Sequence, residues 1–82
     1  NHSPSISVYP QPAEHGTLTV KWTGAGLFDI ILFQSNGVKI KSYYNYSGNT
    51  IQINQLNDGL YFLQIYSKKS GAVLNKKIAV GK

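Results

Sequence analysis

A turn that runs without pause into a strand apolar on both faces constrains this chain more than anything else in it: Leu56-Asn57-Asp58-Gly59, then Leu60-Tyr61-Phe62-Leu63-Gln64-Ile65. Asn and Asp tolerate left-handed dihedrals and Gly takes positive φ without steric cost, so the backbone can reverse just before Leu60. Period-2 alternation then sets Tyr61, Leu63 and Ile65 on one face and Leu60, Phe62, Gln64 and Tyr66 on the other. The first set is the expected core face. A strand apolar on both sides belongs inside a sheet, so other strands must flank it.

The rest of the chain supplies them. Residues 1–5 are polar with one proline and read as a linker end, leaving residues 6–82 as the domain. Ile6 to Tyr9 can form a short edge strand, which Pro10 and Pro12 are expected to end because neither donates to a ladder; residues 10–16 then form a turn. Thr17 to Trp22 alternates strictly, with Leu18, Val20 and Trp22 inward. Leu27 to Gln34 is strongly apolar, and Asn36-Gly37 makes a hairpin to Val38 through Tyr43. Its register stays open. A two-residue turn sets Ile31 and Phe33 on the face of Val38 and Ile40, whereas a three-residue loop with a Gly bulge sets Phe28, Ile30 and Leu32 there. Tyr44 to Asn49 reads as a polar, aromatic loop, Thr50 to Ile53 as a strand with Ile51 and Ile53 inward, and Leu56 as a plug for the core. After the Lys68-Lys69-Ser70-Gly71 turn, residues 72–80 form the last strand with Leu74, Ile78 and Val80 on one face. Seven short strands with Gly-containing turns and no helical period predict an all-β, seven-stranded antiparallel immunoglobulin-like β-sandwich.

At 82 residues this is one domain, able to bury only about 60–65% of its unfolded surface. It has no cysteine, so packing alone must hold it. Eight lysines, no arginine and three acids give a net charge of +5, which favours anionic partners. Lysine without arginine weakens any case for base readout, and no nucleic-acid partner is expected. The longest apolar run is too short for a membrane-spanning helix. The chain opens Asn1-His2-Ser3-Pro4 and contains no Met, so it looks like a piece of a longer protein.

Little in the sequence carries catalytic chemistry, and no enzyme, metal site or cofactor is expected. Glu14, Asp29 and Asp58 are the only acids; Asp29 reads as an outer-face residue near Lys39 or Lys41. His2 and His15 lack the closely spaced partners of a metal site. Lys68-Lys69 and Lys76-Lys77 read first as protection of an exposed sheet edge and second as a binding patch. Tyr43, Tyr44 and Tyr46 offer a stacking platform for sugars or single-stranded nucleic acid, against the plainer reading that they pack over the end of the sandwich. Asn1-His2-Ser3 and Asn45-Tyr46-Ser47 fit a glycosylation sequon, meaningful only in a eukaryotic secretory pathway.

Four segments in order then resemble a known family: Tyr9-Pro10-Gln11-Pro12-Ala13 with Gly16, the Asn36-Gly37 hairpin, Leu56 through Leu63, and Lys76-Lys77-Ile78-Ala79-Val80-Gly81-Lys82 at the end. Together they are similar to the C-terminal sorting domain of the type IX secretion system of Bacteroidetes. Gln11 departs from the usual Asn, but the flanking prolines still fix the local geometry. The resemblance implies a noncatalytic secretion signal fused behind an N-terminal passenger, which transits the periplasm and is recognised by the outer-membrane translocon and its shuttle components. It further implies a sortase-like cysteine peptidase and delivery to the cell surface, often onto anionic lipopolysaccharide, or to the medium. The recognition residues it implies are Tyr9, Pro10, Pro12, Gly16, Asn36, Gly37, Leu56, Gly59, Tyr61, Leu63, Lys77, Ile78, Val80, Gly81 and Lys82, with the last strand offered to a receptor by edge pairing. The alternatives are a small carbohydrate-binding sandwich using the three tyrosines, or a structural spacer of a surface protein.

Overall fold

The computed structural model describes residues 5–14 and 16–81, with the backbone alone over 10–14. His2, His15, Lys82 and the Asn1-His2-Ser3 sequon lie outside the described residues. Seven strands follow in order: β1 (Ile6–Glu14), β2 (Thr17–Trp22), β3 (Leu27–Gln34), β4 (Lys39–Ser47), β5 (Thr50–Ile53), β6 (Gly59–Ser67) and β7 (Val73–Val80). One antiparallel sheet pairs β1 with β2 and β2 with β5. The other runs β4-β3-β6-β7, also antiparallel. The β6 strand lies between β3 and β7, as its two apolar faces require.

The first strand does not stop at the prolines. Its early part pairs with β2 from Ile6↔Trp22 to Tyr9↔Thr19, and the strand continues to Glu14, where Ala13 lies beside Val80 of β7 in a parallel bridge. Where a turn over residues 10–16 was expected, the strand instead runs on through Glu14. The β1–β2 pairing is interrupted after Tyr9 and returns at Glu14↔Thr17, and prolines without N–H groups suit that interruption. The β1 strand thereby joins the two sheets, and among the described residues the other strand pairings are antiparallel.

The core lies between the sheets. Leu18, Val20, Trp22, Ile51 and Ile53 come from one side, and Phe28, Ile30, Leu32, Tyr61, Leu63, Ile65, Ile78 and Val80 from the other, with Leu56 closing one end. Burial of each large aliphatic side chain contributes about 1.5–3 kcal/mol. Trp22 meets Phe28 edge to face at 5.6 Å, a core residue as its alternation predicts.

The open register resolves through hydrogen bonds. The Gln34 carbonyl accepts from Gly37 N–H at 2.8 Å, the Val38 carbonyl accepts from Gln34 N–H at 2.8 Å, and Gly37 takes φ +89°. This is the three-residue loop, and Phe28, Ile30 and Leu32 face the core. Val38 and Ile40 do not join them: both are exposed, and the register shifts between Leu32↔Lys41 and Phe33↔Lys39, leaving Ile40 without a partner. A second irregularity lets β4 run on to Ser47 where a loop was expected. There Asn45 takes φ +55° opposite Asp29, between the pairs Phe28↔Tyr46 and Ile30↔Tyr43.

Both outer strands of the larger sheet carry a lysine on the core-facing side. Leu32 and Leu63 are fully buried neighbours in the middle of a row whose ends are Lys41 on β4 and Lys76 on β7. The lysine stems can cover apolar surface while the ammonium groups reach water. Inward-pointing charge on an edge strand opposes the addition of another strand.

Candidate functional site

Four sequence-distant segments meet at one end of the sandwich. The Tyr9-to-Gly16 segment arrives through Ala13, which lies beside Val80, and through Gly16, whose carbonyl accepts the Leu56 N–H at 3.0 Å. Gly16 is required there. Its φ is +70°, and a Cβ would sit 2.5 Å from the Leu56 carbonyl oxygen. The Asn36-Gly37 hairpin joins through Ser35 N–H, which donates to the Leu60 carbonyl at 3.1 Å. The chain end joins through the register Gly59↔Val80, Leu60↔Ala79 and Tyr61↔Ile78. A Cβ on Gly81 would lie 3.2 Å from Asp58 Cγ, so Gly81 sits against the 57–59 turn.

Tyr61 organises this end. Its ring is buried, and its hydroxyl donates to the Asn57 carbonyl at 2.6 Å, four residues upstream. A tyrosine near the start of this strand, bonded back to the preceding turn, is the tyrosine corner of immunoglobulin-like sandwiches. Alternation alone puts Tyr61 in the core without revealing the corner, for which the one signal in the sequence is a Tyr two residues after a turn glycine. A shallow groove of about 260 Å³ beside the corner is lined by Gln34, Ser35, Asn36, Asp58, Gly59, Leu60 and Tyr61.

Among the expected recognition residues, Leu56, Tyr61, Leu63, Ile78 and Val80 are buried, whereas Tyr9, Asn36, Gly37, Gly59 and Lys77 are exposed. The buried members shape this end, and the exposed ones and the backbone are what it presents. The side chains of Pro10 and Pro12 lie outside the description. The last strand is not a free edge along its whole length: β6 flanks it on one side, and Ala13 occupies the other at Val80.

Tyr43, Tyr44 and Tyr46 do not share one face. Tyr43 and Tyr46 turn inward and pack on the core, Tyr46 lying 5.9 Å from Trp22 and donating its hydroxyl to the Thr50 carbonyl at 2.7 Å. Tyr44 points the other way and is exposed. Hydrogen bonds with Ser42 and Lys39, together with the Lys39 charge, hold its phenol below the ordinary tyrosine value. Asp29 pairs with Lys68 at 3.9 Å rather than with Lys39 or Lys41, and accepts the Asn45 N–H at 3.0 Å. Among the described residues no three His, Cys, Asp or Glu side chains gather as a metal site would need.

The result is a small immunoglobulin-like sandwich that gathers four sequence-distant segments at one end. The chain belongs to the secretion system C-terminal sorting domain family, whose model matches residues 7–81. Its role is that of a secretion signal. The fold is shared with a solved structure of PorZ, described as an essential bacterial surface component of the type-IX secretion system of Porphyromonas gingivalis. The two superpose with a TM-score of 0.77 at 17% identity, over 94% of this chain and 11% of that one. No curated protein matches the sequence.

Proposed function

We propose that this domain is the signal by which the type IX translocon accepts a fused passenger for export across the outer membrane. The observation that carries the reading is the convergence of the four motif segments at one end of the sandwich. Their residues are far apart in sequence, so only the folded domain presents them together. Ser5 lies at the opposite end, where its N–H donates to Thr23 Oγ1 at 3.0 Å and its carbonyl accepts Thr23 N–H at 3.1 Å. A passenger joined ahead of Ser5 leaves from that end, and the motif end stays open to a receptor. A sortase-like cysteine peptidase then removes the domain, and the passenger remains on the cell surface or is released. The domain itself performs no chemistry.

The test is a fluorescent protein carrying a periplasmic signal peptide, fused ahead of residues 1–82 and expressed in a bacterium with type IX secretion. Fluorescence on the surface or in the medium, dependent on the translocon, supports the reading. Retention of the intact fusion in the periplasm refutes it. Loss of about the mass of the domain from the exported reporter reports the cleavage step.

A further inference from the structure

The two outer faces of the sandwich differ sharply in chemistry. On the smaller sheet the outward rows are Ser7–Lys21–Thr50 and Tyr9–Thr19–Gln52, polar apart from one tyrosine ring. On the larger sheet the outward rows are Lys39–Phe33–Phe62–Lys77, Ser42–Ile31–Gln64–Asn75 and Asp29–Tyr66–Val73, with Leu60 beside Ala79 next to the first, so the apolar residues gather most closely at Leu60, Phe33 and Phe62. Leu60, Phe62, Tyr66 and Val73 are 45%, 44%, 40% and 47% exposed. Scattered apolar residues on a surface need no explanation, while an apolar patch of a few hundred Å² is common on a single domain and often functional.

We infer that this face is the docking surface for a protein partner whose contact is apolar at its centre and acidic at its rim. The inference rests on the sorting-signal reading and names the surface that the export machinery grips. Two features restrict the occupant. The edges of the sheet are guarded by the core-facing Lys41 and Lys76, which directs a partner to the face rather than to strand addition. On the face itself, Lys39 and Lys77 end the Phe33–Phe62 row, so any contact wider than the aromatic pair meets positive charge.

Size and charge together disfavour a second copy of this chain. With strands about 4.8 Å apart and about 3.4 Å per residue, the patch spans roughly 300 Å², and two copies would bury roughly half the 1,200 Å² of a stable interface. Reaching a stable size would bring the lysines of each copy together between molecules that both carry +5. An acidic rim removes that conflict and steers the encounter.

The export fusion tests this surface with two face variants, Phe33→Thr/Phe62→Thr and Lys39→Glu/Lys77→Glu, and a control on the other face, Thr19→Ser/Thr50→Ser. Purified domains are first compared by thermal melting; the charge variant keeps the test open should the aromatic one fail to fold. Loss of central aromatic anchors should lower export by about tenfold or more, charge reversal should also lower it, and the control should match wild type. Normal export of a folded face variant overturns the inference and leaves the sorting reading standing. Failure of the wild type to be exported removes both. Sedimentation of the purified domain and its binding to phosphatidylglycerol vesicles complete the test. A dimer, or vesicle binding, that Phe33→Thr/Phe62→Thr abolishes would reassign the face to self-association or to lipid and overturn the protein partner.

Discussion

The hydroxyl of Tyr61 donates a 2.6 Å hydrogen bond to the carbonyl of Asn57, tying the first turn of the central strand to the bend that precedes it. That bond spans the bend between Leu56, which is buried, and Gly59, which pairs with Val80.

Tyr61→Phe, which keeps the ring and removes the bond, should cost about 1 kcal/mol. Tyr61→Ala should cost about 3–5 kcal/mol, since it also empties a buried aromatic site. Urea denaturation of the two purified variants separates the terms. Equal losses would mean that the hydroxyl, not the ring, holds this end together.

Two glycines of the motif segments should differ in their tolerance of a methyl group. Gly37 has positive φ with nothing near its missing Cβ, whereas Gly16 has positive φ and the Leu56 carbonyl oxygen at 2.5 Å. Gly37→Ala should therefore cost about 1–2 kcal/mol, the left-handed penalty alone. Gly16→Ala should cost clearly more, and denaturation midpoints compare them directly.

Replacing both core-facing edge lysines, as in Lys41→Val/Lys76→Val, should leave the melting temperature unchanged or raise it. Their row already contains the fully buried Leu32 and Leu63, which valine extends. The cost should appear as concentration-dependent association, because the edges lose their protecting charge. A variant that sediments as a monomer at every concentration would remove that role from the lysines.

Tyr44 should titrate below the usual tyrosine value because its phenolate is favoured by hydrogen bonds with Ser42 and Lys39 and by the Lys39 charge. The Tyr44–Lys39 oxygen–nitrogen distance is 3.4 Å. For an acid depressed in the folded state, the linked stabilisation is present above the unfolded value and lost as pH falls through the folded one, so stability at neutral pH is untouched. Lys39→Gln should raise the midpoint, read from the ring resonances of Tyr44 across alkaline pH. An unchanged midpoint would show that the Lys39 ammonium does not act on the phenol.

Removing Gly81 and Lys82 should change stability by no more than about 0.5 kcal/mol, since the anchoring residues Ile78 and Val80 remain. Export of the fusion should fall far more than melting does, because the motif end loses its last segment. A truncated fusion exported at the wild-type rate would place recognition elsewhere on the domain.

Alternation alone assigns most core positions correctly. Leu18, Val20 and Trp22, then Ile51 and Ile53, then Tyr61, Leu63 and Ile65 are inward in the sequence pattern and buried in the fold, because a strand's two faces are set locally by its pleat. The apolar outer side of β6 was equally legible as residues, since Leu60, Phe62 and Tyr66 stand in the row opposite the core set. Which strands lie beside it was not. Lys39 and Lys77 flank Phe33 and Phe62 only through pairings of β3 with β4 and of β6 with β7, and register depends on bulges near Ile40 and Asn45 whose φ/ψ no local pattern dictates. The prolines illustrate the same limit. Their missing N–H groups predict where a ladder must break, yet only long-range pairing, with β7 at Ala13 and again with β2 at Glu14, decides that the chain goes on as a strand. The four motif segments are likewise readable one by one, while their meeting around Tyr61 is a property of long-range pairing, which no local pattern contains.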